Sequence, residues 1–290
     1  MTSKNKDLLI CSFIYLFTLL ISLCIGYFVS NLTQWFIILA AHLAATCIIF
    51  VFSFLLKNSS LYDPFWSLGP LPIVIYLSFW PVSGVINYEK IIFVLLPIFY
   101  WSYRLTHNWA RHWQGLQMED WRYVDLRKKS SQSPYIIDFF GIHLYPTLQV
   151  NFSLFPVYFV LSSSTDSINS FFYLSCIFTF LAVILEKIAD DQMRNFKSKS
   201  VNFNLTMKQG LWKYSRHPNY LGETLFWWGL YLMAISLNLN LWWLFICPLS
   251  MTFMFIFGTC KMMDDRSLGK RSDYLPYMKK TSMIMLWPNK

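Results

Sequence analysis

The sequence predicts an all-α fold, a polytopic membrane bundle of about eight transmembrane helices, or seven if one of the short or proline-broken segments does not cross. Three observations carry this. The 290 residues are 56% hydrophobic and 20% aromatic but only 13% charged, more apolar surface than a soluble globule of this size can bury. The apolar residues fall in runs near the ~20 residues that a helix needs to cross a bilayer core. Lys and Arg collect in alternate connections, the pattern of loops held on the cytoplasmic side.

The runs are Leu8 to Ser30, Thr33 to Leu56, Phe65 to Val85, Ile91 to Leu105, Tyr135 to Leu161, Ser170 to Ile188, Tyr220 to Leu237 and Leu241 to Cys260. The first is longer than a signal-peptide core and no small-residue cleavage site follows it, so it reads as a retained span. With Lys4 and Lys6 inside and eight crossings, the stretches around Lys57, Arg104 to Lys129, Lys187 to Arg216 and Lys261 to Lys290 are all cytoplasmic, and so are both termini. Only Lys90 falls on the far side. The net charge of +9 is therefore a topology signal. No soluble domain remains to present a basic face to nucleic acid, although attraction to anionic lipid headgroups follows.

No internal repeat or low-complexity tract occurs. The chain reads as an N-terminal helix pair (1–60) followed by one larger transmembrane domain (61–290). Cysteines at 11, 24, 47, 176, 247 and 260 lie in or beside apolar runs with no CxxC pair, and make neither a disulfide framework nor a zinc site. His107 and His112 are five apart, the wrong spacing for a helical metal pair, and no metal site is expected. His42 and His143 lie inside apolar spans and read as satisfied packing residues. Asp138 and Glu186 read as charges at the membrane interface. No P-loop, G-x-G-x-x-G or nucleophile elbow is present.

Chemistry concentrates in the strip Gly210-Leu211-Trp212-Lys213-Tyr214-Ser215-Arg216-His217-Pro218-Asn219-Tyr220-Leu221-Gly222-Glu223. Pro218, with its fixed φ and missing N–H, predicts a helix starting there. The unpaired N–H groups of that start, beside Lys208, Lys213 and Arg216, make an anion site. His217 reads as a ligand contact. Asn219 and Glu223 are four apart on one helix face, and Glu223 enters the bilayer boundary, where an ionisable group is expensive. Upstream, Asp190, Arg194 and Lys197 are spaced to share a helix face leaving the membrane. Intrahelical ion pairs on a solvated helix end are the plain account of them; a surround of cations for a pyrophosphate is the functional one.

Glu119-Asp120-Trp121-Arg122-Tyr123 forms a polar, aromatic block in the first long cytoplasmic connection, read either as a lid or as part of the interfacial aromatic belt. Asp63, before Pro64, and Tyr100 or Tyr103, near the end of the fourth span, make a candidate proton-donor pair, because burial keeps a carboxyl protonated or bonded to a carbonyl. The alternative for Asp63 is an N-cap.

These blocks resemble the steroid 5α-reductase C-terminal-domain superfamily, in particular its DUF1295 branch. The strip from Gly210 to Glu223 matches that family's C-terminal signature. Ala189-Asp190-Asp191-Gln192 with Phe196-Lys197, Glu119-Asp120-x-Arg122-Tyr123, and Tyr274-x-x-Tyr277 with Thr281-Ser282 follow the same pattern, from about Asp63 to the C-terminus. Where many relatives carry Glu before the C-terminal tyrosines, this chain has Asp264.

The resemblance implies a membrane-embedded reductase that takes hydride from NADPH and reduces an activated carbon–carbon double bond in a lipid or sterol-like substrate entering from the bilayer. It places Asp190, Arg194, Lys197, Asn219 and Glu223 on the cofactor, with Lys208, Arg216, His217 and Tyr220 beside them by position and charge. It assigns the proton-donor role to Asp63 with Tyr100 or Tyr103. An integral protein of a bacterial inner membrane or the endoplasmic reticulum is implied, its cofactor face cytoplasmic. Isoprenylcysteine carboxyl and phospholipid methyltransferases share an Arg-His-Pro-x-Tyr-x-Gly strip, so S-adenosylmethionine chemistry is the alternative. A non-catalytic, reductase-like membrane protein is the third. The oligomeric state is not legible.

Overall fold

The computed structural model describes residues 3–164, 168–199 and 204–288. Among the described residues the regular elements are all helices, apart from one isolated bridge between Ser215 and Ser282. Among the described residues, five helices are long and apolar enough to cross a membrane: Lys4–Phe28, Gln34–Leu55, Pro134–Ser162, Ser170–Lys197 and Leu239–Lys270. The chain is a helical, multi-pass membrane protein, as its composition requires. It divides into two compact units, one of residues 1–87, 101–154 and 161–164, the other of residues 88–100, 155–160 and 165–290.

In the first unit, α1 (Ser3–Phe28) and α2 (Gln34–Leu55) pack against each other. A short 3₁₀ turn at Ser59–Leu61, capped by Asn58 accepting from Ser60 N, leads into α3 (Tyr62–Leu68) and α4 (Pro70–Phe79). The predicted third span is interrupted at Gly69 because Pro70 has no N–H to continue the hydrogen-bond ladder. Asp63 lies in the first turn of α3 and not at its N-cap, because the helix already begins at Tyr62. The core of this unit gathers Ile14, Ile49, Leu61, Tyr62, Phe65, Trp113, Tyr123 and Ile142.

α5 (Tyr88–His112) contributes its start to the second unit and its remainder to the first. Lys90, expected in a far-side connector, sits in its first turn and is only 2% exposed. The connection expected from Thr106 to Pro134 is partly helical. α5 runs to His112, and α6 (Trp121–Lys129) begins at Asp120, whose side chain caps it by accepting from Arg122 N. α7 (Pro134–Ile136), a π-helical stretch at Ile137–Leu144, α8 (Tyr145–Ser153) and α9 (Phe155–Ser162) make up the predicted fifth span.

The second unit is built on α10 (Ser170–Lys197) and α11 (Pro218–Leu237), which pack along their length. Gly222 and Gly229, two turns apart, allow that approach. A Cβ on Gly222 would lie 2.6 Å from Glu186 Cβ and 2.7 Å from its backbone N. One on Gly229 would lie 2.9 Å from Thr179 Cβ. Small residues at such a seam bring helix backbones together where water supplies no driving force. Glu186, expected at the interface, is instead 4% exposed in this seam. The last span is a 3₁₀ turn (Leu239–Phe245), α12 (Ile246–Phe253) and a π-helical segment (Met254–Cys260), running on into α13 (Lys261–Lys270). α14 (Tyr274–Lys280) follows. The polar connection expected from Ala189 to His217 is helical as far as Lys197, and its residues 200–203 lie outside the described residues.

Candidate functional site

In the second unit the strip of residues 210–217 docks onto the end of α10. Gly210 takes a φ of +58°, and a Cβ there would lie 2.5 Å from Gln192 Oε1, so only glycine fits. Gln192 Oε1 accepts from Leu211 N (2.9 Å), and Trp212 Nε1 donates to Ala189 O (3.0 Å). The strip then runs alongside the C-terminal segment, with Arg216 N bonded to Ser282 O (2.8 Å) and His217 N to Met283 O (3.1 Å). As predicted, Pro218 opens a helix, here with His217 at the N-cap.

Asp264 of α13 is the hub. Its carboxylate accepts from Arg216 Nη2 (2.8 Å) and Nε (3.3 Å), from His217 Nε2 (2.9 Å), and from the Tyr274 hydroxyl. Arg216 Nη1 reaches Thr281 O (2.7 Å) and Met278 O (3.1 Å). The Tyr277 hydroxyl donates to Trp212 O (2.5 Å). Burial, followed by the bond to Asp264, pushes the Tyr274 hydroxyl well above its ordinary value. Arg216 and His217, expected on a cofactor, thus spend these hydrogen bonds on clasping α13, α14 and the C-terminal segment against the strip. Tyr220 stacks on His217 with ring centroids 5.6 Å apart.

On the first turns of α11, Asn219 Oδ1 is buried without a hydrogen-bond partner. Four residues on, Glu223 is 2% exposed and accepts from Trp227 Nε1 (2.8 Å). A buried acceptor with no protein donor is met in a folded protein by water or by a ligand's N–H or O–H. Among the cations, Arg194 pairs with Asp191, and Lys208 with Asp273 (2.7 Å). Lys197 lies within electrostatic reach of Asp190, Arg271 and Arg266. Arg266 and Arg271 were absent from the sequence reading, because nothing in their spacing relates α13 to the end of α10.

The first unit holds a separate polar cluster. Asp63 Oδ1 accepts from the Tyr123 hydroxyl (2.5 Å) and from Arg122 Nη2 (3.0 Å), while Asp120 accepts from Arg122 Nε (2.9 Å). Glu119 Oε1 accepts from Ser59 N (2.8 Å), Asp120 N donates to Ser60 Oγ (2.7 Å), and Arg127 bridges Glu119 and Asp138. The Glu119-to-Tyr123 block therefore fastens onto residues 59–63, Glu119 at Ser59, Asp120 at Ser60, and Arg122 and Tyr123 together at Asp63. Burial raises the Asp63 carboxyl to about 6, with Arg122 drawing it down and Asp120 pushing it up. Tyr100 stacks on Phe180 and Tyr103 on His107. The hydroxyl on Asp63 belongs to Tyr123, which sequence reasoning had placed either in a lid or in the interfacial aromatic belt.

The family described as "Protein of unknown function (DUF1295)" matches residues 49–281. An uncharacterized protein of Schizosaccharomyces pombe is 24% identical over 246 residues, covering 77% of this chain and 71% of that protein. No solved structure matches. The match over residues 49–281 takes in both polar clusters, and the chain belongs to the DUF1295 family.

Proposed function

We infer that the protein is a membrane-embedded NADPH-dependent reductase of an activated carbon–carbon double bond in a lipid or sterol-like substrate. The observation that carries this reading is Asn219 Oδ1, a buried acceptor without a donor, one helical turn before the buried Glu223. Together they present acceptors to the amide N–H groups of a nicotinamide carboxamide, at a helix start suited to phosphate. The bound dinucleotide would supply hydride.

The chain's own residues do the rest. Asn219 and Glu223 orient the cofactor head, with Tyr220 beside them. Lys197, with Arg266 and Arg271, offers positive charge to its phosphates, and Asp190 holds Lys197 in place electrostatically. Asp264 keeps Arg216 and His217 fixed behind the strip. Proton supply is assigned to Asp63 with Tyr123, the tyrosine role passing from Tyr100 or Tyr103 to the hydroxyl that bonds the carboxylate. A carboxyl titrating near 6 is matched to giving up a proton near neutrality. We assign the reaction to residues 61–290, with 1–60 as an added helix pair, an eight-span topology, and the cofactor face on the cytoplasmic, Lys- and Arg-rich side.

The test is thermal stabilisation of the purified chain in detergent by NADPH, NADH and S-adenosylmethionine. NADPH is expected to raise the melting temperature saturably, and Asn219→Leu and Glu223→Gln to abolish that rise while eluting as folded protein. Selective stabilisation by S-adenosylmethionine would reassign the site to methyl transfer. No stabilisation by either nicotinamide dinucleotide would remove the reductase reading.

A further inference from the structure

The C-terminal segment of the second unit is a strap tied to the strip at two places. Ser215 and Ser282 form the parallel bridge, with Arg216 N bonded to Ser282 O (2.8 Å) and His217 N to Met283 O (3.1 Å). Further on, Ser215 Oγ donates to Ile284 O (2.8 Å) and Trp287 N to Tyr214 O (3.3 Å).

The strap has two sides. Ser215 and Ile284 are buried against the clasp around Asp264. Tyr214, Met285, Leu286 and Trp287 point outward, 40%, 57%, 38% and 65% exposed. Beside these apolar groups stand exposed cations. Lys213 Nζ lies 5.6 Å from the centre of the Tyr214 ring, and Lys279 and Lys280 end α14. No Asp or Glu occurs from Gln192 to Gly222, or from Tyr274 to Lys290, so neither segment brings a carboxylate side chain of its own to offset them.

The level of this face is fixed by α10. Leu211 N bonds Gln192 Oε1 and Trp212 Nε1 bonds Ala189 O, so the strip docks on α10 at residues 189–192. That is immediately beyond the apolar run that ends at Ile188, where a spanning helix passes from hydrocarbon into headgroups. An extended Met-Leu-Trp run exposed at this depth, with lysines alongside, matches neither bulk water nor hydrocarbon. It matches the boundary between them, where Trp and Tyr rings sit with one end apolar and lysine reaches phosphate.

We propose that the C-terminal strap is a docking surface for the headgroup layer of an anionic bilayer, with Met285, Leu286 and Trp287 entering the acyl boundary and Lys213, Lys279 and Lys280 meeting lipid phosphates. Thr281 O and Met283 O on the same strap hold Arg216 and His217 directly before Pro218. A seated strap therefore keeps the clasp closed at the start of α11. The surface stands whether or not the chain is a reductase.

The experiment places a nitroxide at Met285→Cys in the full chain, with the exposed Cys24 and Cys47 replaced by Ser. The protein is held in nanodiscs of phosphatidylcholine, with or without phosphatidylglycerol. Collision of the label with oxygen, which concentrates in hydrocarbon, is compared with collision with a water-soluble nickel chelate. Phosphatidylglycerol is expected to move the label from the chelate towards oxygen, and added salt to reverse the move by screening. Lys279→Gln and Lys280→Gln are each expected to lower the ratio of seated to unseated strap about fivefold, the worth of one lysine at an anionic surface. Trp287→Ser is expected to lower it as well. A label fully open to the chelate in both lipids would overturn the proposal whether or not the variants fold. So would seating that phosphatidylglycerol does not increase, seating indifferent to salt, or seating undiminished in the double lysine variant.

Discussion

Arg216 and Asp264, 48 residues apart, close on each other as a two-pronged ion pair, Nη2 to Oδ2 at 2.8 Å and Nε to Oδ1 at 3.3 Å, with side chains 8% and 3% exposed. Three elements depend on it, because Arg216 also carries Met278 O and Thr281 O while Asp264 also carries His217 and Tyr274. Removing one partner of a buried pair strands the other charge, at a cost of about 3–5 kcal/mol. Asp264→Ala and Arg216→Met are each expected to lower the apparent melting temperature sharply in fluorescence-detected size exclusion. The double variant should lose clearly less than the sum. Strict additivity would mean that the pair does not act as a clasp.

Gly222→Ala is expected to be among the most damaging single-methyl additions in the chain. Its Cβ would meet Glu186 N at 2.7 Å and Ala182 O at 2.8 Å, and backbone cannot step aside without separating α10 from α11. Gly258→Ala, with nothing within 4 Å, is the matched control and should leave folding yield and melting temperature unchanged. Equal effects from the two would contradict the close seam.

Much of this was legible from local signals. Pro218 marked the start of α11 because a missing N–H acts within one turn. Composition gave the bundle and charge the connections. The pairings were not legible, because they join residues far apart. Asp63 meets Tyr123 across 60 positions, and no spacing rule selects that tyrosine over Tyr100 or Tyr103. Nor does a count of cations reveal which of them a carboxylate already neutralises. Arg194, Lys208 and Arg216 all read as ligand contacts in sequence and all have acidic partners in the fold. Asn219 and Glu223 were legible as a pair because a helix brings residues four apart together.

The Asp63 carboxyl gives a signed pH dependence. Burial first, and then Asp120, raise its folded value to about 6 from 3.8 against the pull of Arg122. The folded state therefore holds this proton more tightly than the unfolded chain does. Its contribution favours folding below about pH 4 and is lost as pH rises towards 6. Asp63→Asn keeps an oxygen for Tyr123 and Arg122 but cannot ionise, so the fall in melting temperature between pH 4 and 6 should flatten relative to the parent chain. Arg122→Gln removes the group that draws the value down, and should move the fall to higher pH. A parent and an Asp63→Asn variant with the same pH profile would show that this carboxyl does not titrate there.

In the reductase reading, discrimination between NADPH and NADH falls to the cations gathered around Lys197. Arg194 already has an anionic partner in Asp191, which it shares with Lys187, and Lys208 has one in Asp273. Lys197 instead lies in the field of Arg266 and Arg271, two like charges that would repel it with no anion between them, offset in part by Asp190. Such a cluster gains most from a dianion, as the extra phosphate of NADPH supplies. One charge-assisted hydrogen bond is worth about 1.5–3 kcal/mol, or roughly ten- to a hundredfold in affinity. Arg271→Ala is therefore expected to weaken NADPH by that factor in equilibrium titration while changing NADH little. Arg194→Ala should weaken the two equally or not at all. Equal weakening of both cofactors by Arg271→Ala would place the cluster on the shared pyrophosphate, and an unchanged NADPH affinity would remove it from the site.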